Sequence, residues 1–600
     1  MESATLTSAG PAHTLTAQQA SPRGAGPESP VAGADRRGLY RSALGVLLLV
    51  TFLLRLWGIK QGLPYSYNVD EATHFVPRAI AFFSHDLNPR YFLNPPAYSY
   101  LLHIVFELWF GSADAVTRAY RSDPTSVFVV GRILAAALGT VAVGLTYLAG
   151  ARFFQRSVGL LAAAIFGLAF LPIFYSHLAL NDVPTLAPVA LSLYGIAGVL
   201  RGGATRDYAI AGLGIGLASA TKYTGGITLV CLLMAFAGDG TGRAFLPALG
   251  RLGLGLLVAL IAFVLTNPFA VLDFASFSSG VSAQASAAAG QEPFKLGLTP
   301  GSGISYYLWT FTWGLGWGPA LAALGGVVLL LARRRVAMAL VLIPAPIAFI
   351  VFMGTQQRFF GRWLMPIFPI VAVLGAYGAV ELVRWLAHER RMPGRLAGGL
   401  VAILLLSQSL VTVIHDDVAL SRPDTRALTR AWMVQNIPAG DKVVIEPVVP
   451  DNWASDIGVS GGFTPTGDRW YRFATSLTHL DAQGNPLAPD QRRFVLVDEY
   501  ERTLGPELLD QYVSNGFCWV VVGSLQAGRA FAQPRVVPAA IAYYAALASR
   551  SRLVYQTSPF AAGAGPIPFN FDWSIDYYPR QYERPGPAMS VYRLTGGKCS

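Results

Sequence analysis

The sequence predicts a polytopic, mainly α-helical membrane protein with a soluble α/β domain at its C-terminal end. Three observations predict this fold class. The 600-residue chain is 53% hydrophobic and 13% charged, whereas a soluble domain carries about 25% charged residues. Apolar stretches of roughly 17–25 residues recur along residues 39–415, and about 20 residues are needed for a helix to cross the hydrocarbon core. Residues 416–600 instead combine short apolar strands with helical patterns.

The first segment of the chain differs from both of these parts. Residues 1–38 are rich in Pro, Gly, Ala, Ser and Thr and poor in apolar residues, a composition typical of disordered chains. We therefore divide the chain into a disordered tail (1–38), a transmembrane domain (39–415) and a C-terminal α/β domain (416–600). The apolar pattern predicts about eleven spans, at residues 43–59, 127–149, 158–175, 183–200, 207–221, 225–238, 252–272, 305–331, 336–353, 363–386 and 396–414.

The run "PPAYSYLLHIVFELWFG" at residues 95–111 decides the topology. It is apolar, but it contains His103 and Glu107, which are costly at mid-bilayer. If the run does not span, the later arginine clusters all fall on the side of Arg36, and the positive-inside rule favours this arrangement. These clusters are Arg152/Arg156, Arg201/Arg206, Arg243/Arg251, Arg333–Arg335 and Arg384/Arg390/Arg391/Arg395. We therefore predict that 95–111 is an amphipathic or re-entrant helix near the outer surface.

If residues 95–111 do not span, residues 420–600 lie outside the cytoplasm. We therefore expect the chain to be a multi-pass protein of a bacterial cytoplasmic membrane. The net charge is +11, but residues 420–600 hold 17 Lys/Arg and 16 Asp/Glu. Almost all of the excess positive charge therefore lies in the membrane part, which fits the positive-inside rule better than a nucleic-acid surface. We expect membrane lipids as partners and no nucleic acid.

The cysteines and the C-terminal domain limit other classes of site. Cys231, Cys518 and Cys599 have no paired spacing, so they predict neither a metal site nor a disulfide framework; a Cys518–Cys599 bridge stays open. "SGGFTPTG" (460–467) is predicted as a loop, because no helix follows it in P-loop fashion. The domain is predicted to have a helix in "DTRALTRAWMVQNIP" and strands in "DKVVIEP", "RRFVLVDEY", "FCWVVVGS" and "AMSVYRL".

Acidic residues lie just outside two of the predicted spans. "YSYNVDEATHFVPRA" (65–79) contains Asp70 and Glu71, and "FYSHLALNDVPTLAPVALSLY" (174–194) contains His177 and Asp182. Each acid by itself is open to a second interpretation as a helix cap, with Pro184 in the first turn after Asp182. The predicted topology, however, places them together at the outer face.

Basic residues are predicted at the same face. "SATKYTGG" places Lys222 at a helix end in an apolar context, where a snorkelling lysine is the alternative interpretation. "GTQQRFFGRWLMPIFP" brings Arg358 and Arg362 to one helix face, four residues apart. Arginines at an outer boundary run against the positive-inside bias, so we expect them to bind a specific anion. The acids suit proton abstraction or metal binding, and the cations suit a phosphate group.

Five segments, taken in order, resemble a known family. They are "VDEATHFVPRA", "NPPAYSYLLHIVFELWFG", "HLALNDVP", "ATKYTG" and "RFFGRWLMPIFPIVAVLGAYG", within roughly residues 40–390. Together they resemble the lipid-carrier-dependent glycosyltransferases of the GT-C superfamily, of the protein O-mannosyltransferase and aminoarabinose-transferase type. The resemblance implies a bundle of spans with surface helices in the first outer loop. It also implies transfer of a sugar, with inversion, from a polyprenyl phosphate to a hydroxyl of a glycan, lipid or protein acceptor in the cell envelope.

The resemblance extends to single residues. It implies that Asp70 is the catalytic acid of the first outer loop, that Glu71 is its companion and that Asp182 is the acid of the second outer loop. It places Lys222 and Arg358 where family members have phosphate-binding cations. A divalent metal ion, which some relatives bind, would be held by Asp70, Glu71 and Asp182.

Four further residues are candidates for substrate binding, from their positions near these acids. They are His74, Arg78, His177 and Arg362. The chain departs from the family at Asn94-Pro95-Pro96, where relatives often have Lys-Pro-Pro. Arg90 is the cation that we expect to substitute for that lysine.

A transporter or channel is the alternative function. In that case Asp70, Asp182 and Lys222 would line an ion path. Transporters usually have internal repeats and place their charges near the midplane, whereas this sequence has no recognisable repeat and places its charges at span ends. A third class, a non-catalytic membrane scaffold, leaves the charges unexplained. The sequence therefore favours a membrane glycosyltransferase with Asp70 as general base.

Overall fold

A computed structural model gives the fold of most of the chain. The described residues are 30–84, 86–238, 245–290, 296–297, 302–458, 464, 467–473, 477–478, 493–494, 497–564, 567, 569–570, 572 and 577–596. Most of the predicted tail, residues 1–29, lies outside them. Helix α1 (Pro30–Leu56) begins inside the predicted tail. Its first residue is proline, whose φ angle is already helical and whose missing N–H has no partner in a first turn.

Each of the eleven segments predicted as spans is largely helical. The helices up to residue 238 are α1, α2 (Val76–Ala81), α3 (Ala97–Phe110), α4 (Ala113–Ser122), α5 (Thr125–Phe153), α6 (Arg156–Gly167), α7 (Phe170–Ser176), α8 (Leu186–Arg201), α9 (Thr205–Thr221) and α10 (Thr228–Ala237). Those that follow are α11 (Phe245–Thr266), α12 (Phe269–Leu272), α13 (Phe274–Ala288), α14 (Gly303–Thr310), α15 (Trp317–Ala332), α16 (Val336–Leu342), α17 (Pro344–Gly354), α18 (Phe368–His388) and α19 (Gly394–Leu420).

Seven helices in the described part of the chain are long and apolar enough to cross a membrane. An eighth span forms if α6 and the helix that follows it, bent by 60°, are counted together. Pro172 lies in the first turn of the second piece, where its missing N–H removes no helical hydrogen bond. The chain is therefore a polytopic membrane protein, and the number of eleven spans stays a prediction.

Helix α3 covers the run whose topology was in question. It has 14 residues, or about 21 Å, which is short of the roughly 30 Å hydrocarbon core. One face is buried, and the Tyr98 hydroxyl donates to the carbonyl oxygen of Gly131 in α5 at 3.2 Å. The other face exposes Leu108 and Trp109, at 79% and 69%. Such a helix lies against the bundle with an apolar face outward, as an interfacial helix does.

The two ends of the bundle carry different groups. Helix α5 has 29 residues and therefore extends about 43 Å. Near its start, a Cβ on Gly458 of the C-terminal domain would lie 3.5 Å from the Ser122 carbonyl oxygen. At its far end Arg152 bonds Asp207 at 2.7 Å. At that end, too, Arg384 donates to Gln155 at 2.8 Å. The basic loops thus gather at the end away from the C-terminal domain.

Close packing of small residues joins α8, α9 and α11. A Cβ added to Gly195 in α8 would lie 2.4 Å from the Ala211 nitrogen of α9, and one added to Gly212 would lie 2.0 Å from the Gly255 oxygen of α11. Only glycine permits these approaches, as at many helix contacts in membranes. The tight pair α8/α9 brings together the loops at their ends, which hold Asp182 and Lys222.

The C-terminal domain is built on a mixed five-stranded sheet. Its helices are α20 (Thr425–Asn436), α21 (Glu507–Ser514), α22 (Ser524–Ala532) and α23 (Pro538–Arg550). Its strands are β1 (Lys442–Ile445), β2 (Tyr471–Arg472), β3 (Leu477–Thr478), β4 (Arg493–Phe494), β5 (Trp519–Gly523), β6 (Ser551–Thr557) and β7 (Met589–Leu594). The order is β2-β1-β5-β7-β6, and β3 pairs with β4 separately. Strand β1 is parallel to β2 and β5, with Val444 opposite Val520, and β7 is antiparallel to β5 and β6.

Most of the elements predicted for this domain are confirmed, with one exception. The helix after Asp424 and the strands β1, β5 and β7 lie where the sequence places them, and the Asp424 side chain accepts from the Arg426 nitrogen at 2.8 Å. The strand predicted in "RRFVLVDEY" is wrong from Val497 onward, because Val497–Thr503 is a 3₁₀ helix. The acidic pair in this segment disfavours a strand. Most of the loop predicted at 460–467 lies outside the described residues.

The cysteines differ in state. Cys518 is disulfide-bonded, whereas Cys231 is free and buried. Cys599, the partner considered from the sequence, lies outside the described residues.

A segment before β7 enters the transmembrane bundle. Tyr577 belongs to the main hydrophobic cluster of the bundle, and its hydroxyl lies 3.1 Å from that of Tyr175. Tyr306 of α14 donates to Asp572 at 2.6 Å. The C-terminal domain and the bundle therefore share a packed, buried boundary.

Candidate active site

Asp70 lies in a distorted helical turn of the loop that follows α1. Residues Glu71–Phe75 form a π-helical turn, and the Asp70 side chain makes no capping hydrogen bond to it. Asn68 does so instead, since its Oδ1 accepts from the Glu71 nitrogen at 3.1 Å. Short π-helical turns are frequent at functional sites. The helix-cap interpretation of Asp70 therefore does not describe its contacts, and its carboxylate stays 31% exposed.

Two side chains flank the Asp70 carboxylate. Arg362 donates to Oδ2 at 2.6 Å, and the His74 ring nitrogen Nε2 lies 3.9 Å from Oδ1. Burial raises the pKa of Asp70, but the charges of Arg362, His74 and Lys222 outweigh it and hold the pKa below its ordinary value. No side chain in the described part of the chain donates a hydrogen bond to Oδ1. Asp70 is therefore ionised at neutral pH and has one oxygen available as a proton acceptor.

Two arginines meet at one aromatic ring. Arg362 lies in a 3₁₀ turn, Gly361–Ile367, at the start of α18. The guanidinium carbons of Arg358 and Arg362 both lie 5.3 Å from the ring centroid of Phe360. Arg362 also lies 5.9 Å from the ring of Tyr175. The aromatic contacts hold the two guanidinium groups near each other, which suits binding of one anion.

Asp182 and Lys222 form a buried ion pair. Asp182 accepts from the Lys222 ammonium group, and its neighbour Asn181 donates to the Thr221 oxygen at 2.8 Å. The side chain of Lys222 is 11% exposed, so it does not snorkel. Helix α8 begins only at Leu186, after a cap at Thr185, so Asp182 is not its cap. Lys222 lies near enough to Asp70 to lower its pKa, which places both pairs in one site.

Glu71 faces away from this site. It is fully buried and bonds Arg132 through both oxygens, at 2.8 and 2.6 Å. Oε1 also accepts from the Ala179 nitrogen at 2.7 Å, and Oε2 accepts from the Ser66 hydroxyl at 2.5 Å. The resemblance implied that Glu71 is the companion acid of Asp70 in the site. Arg132 neutralises Glu71 instead, and the pKa of Asp70 is lowered.

A small recess opens beside His74. It is lined by His74, Arg78, Tyr91, Asn94 and the two prolines after it. The guanidinium carbon of Arg78 lies 3.6 Å from the Tyr91 ring centroid, and the Asn94 amide donates to the Tyr91 hydroxyl at 3.1 Å. Arg90, expected as the substitute cation, is 70% exposed and bonds Asp86 at 2.7 Å. Arg78 is therefore the cation next to Asn94.

Comparison with known proteins gives three similarities. Residues 125–268 match the family described as dolichyl-phosphate-mannose-protein mannosyltransferase. The lipopolysaccharide core galacturonosyltransferase RgtB of Rhizobium johnstonii is 24% identical over an alignment of 516 positions, which covers 73% of this chain and 98% of that protein. The oligosaccharyltransferase of Archaeoglobus fulgidus in its apo form has a similar fold, with a TM-score of 0.51 and 11% identity over 93% of this chain and 88% of that one.

These similarities identify the chain as a glycosyltransferase. The structure of ArnT from Cupriavidus metallidurans in the apo state is also similar, with a TM-score of 0.49 and 14% identity over 94% of this chain and 99% of that one. The segment that matches the mannosyltransferase family begins at α5 and ends after α11. It includes both Asp182 and Lys222, which form the buried ion pair of this glycosyltransferase.

His177 is a predicted substrate-binding residue of the glycosyltransferase, but both of its ring nitrogens already face protein groups. It is 1% exposed. Its ring nitrogens face two carbonyl oxygens, of Trp57 at 2.8 Å and of Phe174 at 3.2 Å. Asp417 of α19 lies 3.5 Å away. The span-end position of His177 suggested access, but α1 and α19 cover it.

The predicted metal ligands of the glycosyltransferase are not grouped. Asp70, Glu71 and Asp182 each accept from a different cationic side chain. Among the described residues, no cluster of three or more His, Cys, Asp and Glu side chains has the arrangement of a metal site. The residues as arranged do not fit the divalent metal that the resemblance raised.

Arg132 is the functional residue that sequence reasoning missed. It lies inside a predicted span, where an arginine is costly unless it is paired. Its position in the sequence therefore already indicated a buried acidic partner. Arg55 carries the same signal in α1; its Nη1 donates to the Gly167 oxygen at 3.2 Å. Tyr91 carried no signal, because one tyrosine in a loop is common on any surface.

Proposed function

We propose that this glycosyltransferase moves a sugar from a polyprenyl-phosphate donor to a hydroxyl of an acceptor, with inversion. The reaction takes place at the outer face of a bacterial cytoplasmic membrane, with the C-terminal domain on the same side. One observation carries this proposal. The partly exposed Asp70 carboxylate is held by Arg362 through one oxygen only and lies beside the Lys222–Asp182 pair.

The cations support a lipid phosphate as the donor. Lys222, Arg358 and Arg362 gather at one end of the bundle, next to apolar helices that a lipid chain can contact. A charge-assisted contact to phosphate is about twice as strong as a neutral one. The matching family is named for a lipid-phosphate sugar, dolichyl-phosphate-mannose, and for a protein acceptor. The name of RgtB gives a lipopolysaccharide core. A glycan, a lipid and a protein therefore all remain acceptor classes for this chain.

Asp70 serves as the general base in this proposal. Its Oδ1 takes the proton of the acceptor hydroxyl while the hydroxyl oxygen attacks the anomeric carbon. The bond from that carbon to the phosphate oxygen breaks on the opposite face, which inverts the configuration. The polyprenyl phosphate leaves with its electron pair, and the cations compensate its charge. Asp182 holds Lys222 in its charged form for this role.

Asp70→Asn tests the proposal. A free hydroxyl is a poor nucleophile at neutral pH, and a positioned base contributes about 10²–10⁴-fold to the rate. Purified protein is incubated with a panel of polyprenyl-phosphate sugars, and release of polyprenyl phosphate is measured. We expect the variant to bind the donor and to react at least about a hundredfold more slowly.

Asp86→Asn is the matched control, because Asp86 is an exposed acid of the same loop. It should keep the parental rate. A near-parental rate in Asp70→Asn would remove Asp70 from the mechanism. Coupled movement of an ion, with no release of polyprenyl phosphate from any donor, would favour a transporter instead.

A further inference from the structure

The two oxygens of the Asp70 carboxylate face different surroundings. Oδ2 bonds Arg362, on the side where Arg358 shares the Phe360 ring. Oδ1 faces His74, whose ring lines the small recess. A base that assists an inverting displacement holds the acceptor, and the leaving phosphate departs from the opposite face of the sugar. The phosphate and the acceptor therefore lie on opposite faces of the sugar, and the acceptor is expected on the Oδ1 side of Asp70, away from the bond to Arg362.

Arg78 is fixed within the recess with part of its guanidinium group unused. Nη1 donates to the Thr73 and His74 oxygens at 3.1 and 2.8 Å, and the group lies on the Tyr91 ring. Among the described residues, Nε and Nη2 have no hydrogen-bond partner. An arginine already held in place loses little entropy on binding, and its free edge matches a carboxylate or a phosphate.

We propose that this recess is the acceptor subsite, and that the acceptor carries a carboxylate or phosphate near its reacting hydroxyl. Arg78 binds the anionic group, and the hydroxyl then lies at Oδ1 of Asp70, beside His74. The inference rests on the proposed function. It adds the chemical class of the acceptor, which neither the matching family nor RgtB assigns to this chain.

Rigid groups line the recess around Arg78. Pro95 and Pro96 form one wall and are buried. Tyr91 forms another and is held by Asn94. Rigid walls of this kind keep Arg78 and His74 in place, so binding of an anionic group there requires little reorganisation. The remainder of the acceptor extends outward, past the exposed edge of the loop.

The test uses three small probes that share a three-carbon skeleton. Glycerol is neutral, D-glycerate adds a carboxylate and glycerol 3-phosphate adds a phosphate. Their binding to the full chain in lipid nanodiscs is measured by titration calorimetry, and undecaprenyl phosphate is titrated separately to report on the donor side. We expect at least one anionic probe to bind tenfold or more tightly than glycerol.

Arg78→Gln should abolish this preference and leave undecaprenyl phosphate binding within twofold of the parent. Arg118→Gln is the matched control, since Arg118 is an exposed arginine of α4 on the same side. Arg78→Lys keeps the positive charge but loses the planar guanidinium group that can bind an anion through two N–H groups. It should therefore retain only part of the preference for anionic probes over glycerol. It also guards against misfolding of the glutamine variant.

Two outcomes would overturn the inference. One is an equal affinity for glycerol and both anions; the other is a loss of undecaprenyl phosphate binding in a folded Arg78→Gln variant, which would move the donor phosphate to the recess. Neither outcome touches the role of Asp70, because the probes report binding without reaction. Failure of the proposed function would show instead in the rate of Asp70→Asn.

Discussion

Three carboxylates near one end of the bundle each bond a cation, and their exposure to solvent separates their roles. Glu71 and Arg132 are almost fully buried, at 0% and 1% exposure. Removing one partner of such a pair costs about 3–5 kcal/mol, because the other charge stays buried. Asp70 and Arg362 keep 31% and 17% exposure. The fully buried pair is therefore suited to holding structure, and the accessible pair is suited to chemistry.

The pH dependence of the reaction tests the partner of Asp70. Arg362 lowers the pKa of Asp70, so Arg362→Gln should raise it. Activity needs the ionised base, so the acid limb of the kcat/KM profile should move to higher pH by about one unit or more. The profile is measured between pH 4 and pH 8.

Arg358→Gln is the control for this prediction. Arg358 is not among the groups that shift the pKa of Asp70, so its removal should leave the acid limb in place even where the rate falls. An unmoved acid limb in Arg362→Gln would contradict the assignment of Asp70 as the base.

At the scale of elements, Glu71 joins three segments of the chain. It belongs to the loop that follows α1, Arg132 belongs to α5, and the Ala179 nitrogen that donates to Glu71 belongs to the loop before Asp182. The position of Asp70 relative to Asp182 thus depends on the Glu71 contacts. Glu71 is next to Asp70 in sequence, but it affects the site by holding these three segments together.

Substitution of Glu71 should therefore lower stability before it affects chemistry. Glu71→Ala leaves Arg132 buried without its partner, and we expect a loss of about 3–5 kcal/mol in stability. Thermal unfolding in detergent measures this loss, and donor binding by the surviving folded fraction should stay near the parental value. A variant with the parental melting temperature and no activity would instead make Glu71 a catalytic group.

A second buried acid lies between the parallel strands of the C-terminal domain. Glu446 follows β1 and accepts from the Gly523 nitrogen at 3.0 Å and from the Tyr544 hydroxyl at 2.8 Å. It occupies the carboxyl ends of β1 and β5, the place where open α/β sheets often bind ligands. Burial is the main cause that raises the pKa of Glu446 to about 8.

The raised pKa makes the stability of this domain depend on pH. The folded state holds a proton on Glu446 that the unfolded state releases near its ordinary pKa of 4.5. Its contribution to stability therefore falls by a few kcal/mol as pH rises from about 5 to 8. Glu446→Gln should remove this slope and stabilise the domain at pH 8.

Melting temperatures of the full chain at pH 6 and pH 8 measure this effect. Glu507→Gln, at an exposed acid of α21, should keep the parental slope. A slope that survives in Glu446→Gln would show that another group causes it.

At the scale of the whole molecule, the ends of the bundle differ in what they carry. The site and the C-terminal domain lie at one end, and the basic loops lie at the other. Tyr577 of the C-terminal domain packs among Phe174, Trp313 and Tyr175 of the bundle. Because its hydroxyl would also lie 3.2 Å from a Cβ on Gly361, the C-terminal domain supports the turn that holds Arg362.

Cysteine labelling tests which end faces outward. Single cysteines at Ser122 and Ser157 are probed with a membrane-impermeant thiol reagent on intact cells. We expect labelling at Ser122 and none at Ser157, because the positive-inside rule places the basic loops in the cytoplasm. Of the cysteines that the structure describes, Cys231 is buried and Cys518 is disulfide-bonded, so neither contributes background labelling. Labelling of the Ser157 site alone would reverse the topology.

The sequence by itself determined the membrane class, the positions of the helices and most of the acids and cations of the site. Hydrophobic length and charge bias are local properties, so a window of about 20 residues already contains them. The same is true of strands β1, β5 and β7, whose apolar runs are short and bounded by turns. The residues Asp70, Asp182, Lys222 and Arg362 were found because charges at span ends are unusual.

Only the tertiary structure decided which charge pairs with which. Asp70 and Arg362 are 292 residues apart in the chain, and Glu71 and Arg132 are 61 apart. Adjacent residues such as Asp70 and Glu71 point to different partners, because helix geometry turns successive side chains by about 100°. Burial then distinguishes the accessible carboxylate of Asp70 from the buried Glu71–Arg132 ion pair. The bundle that produces this burial is set by contacts among distant helices.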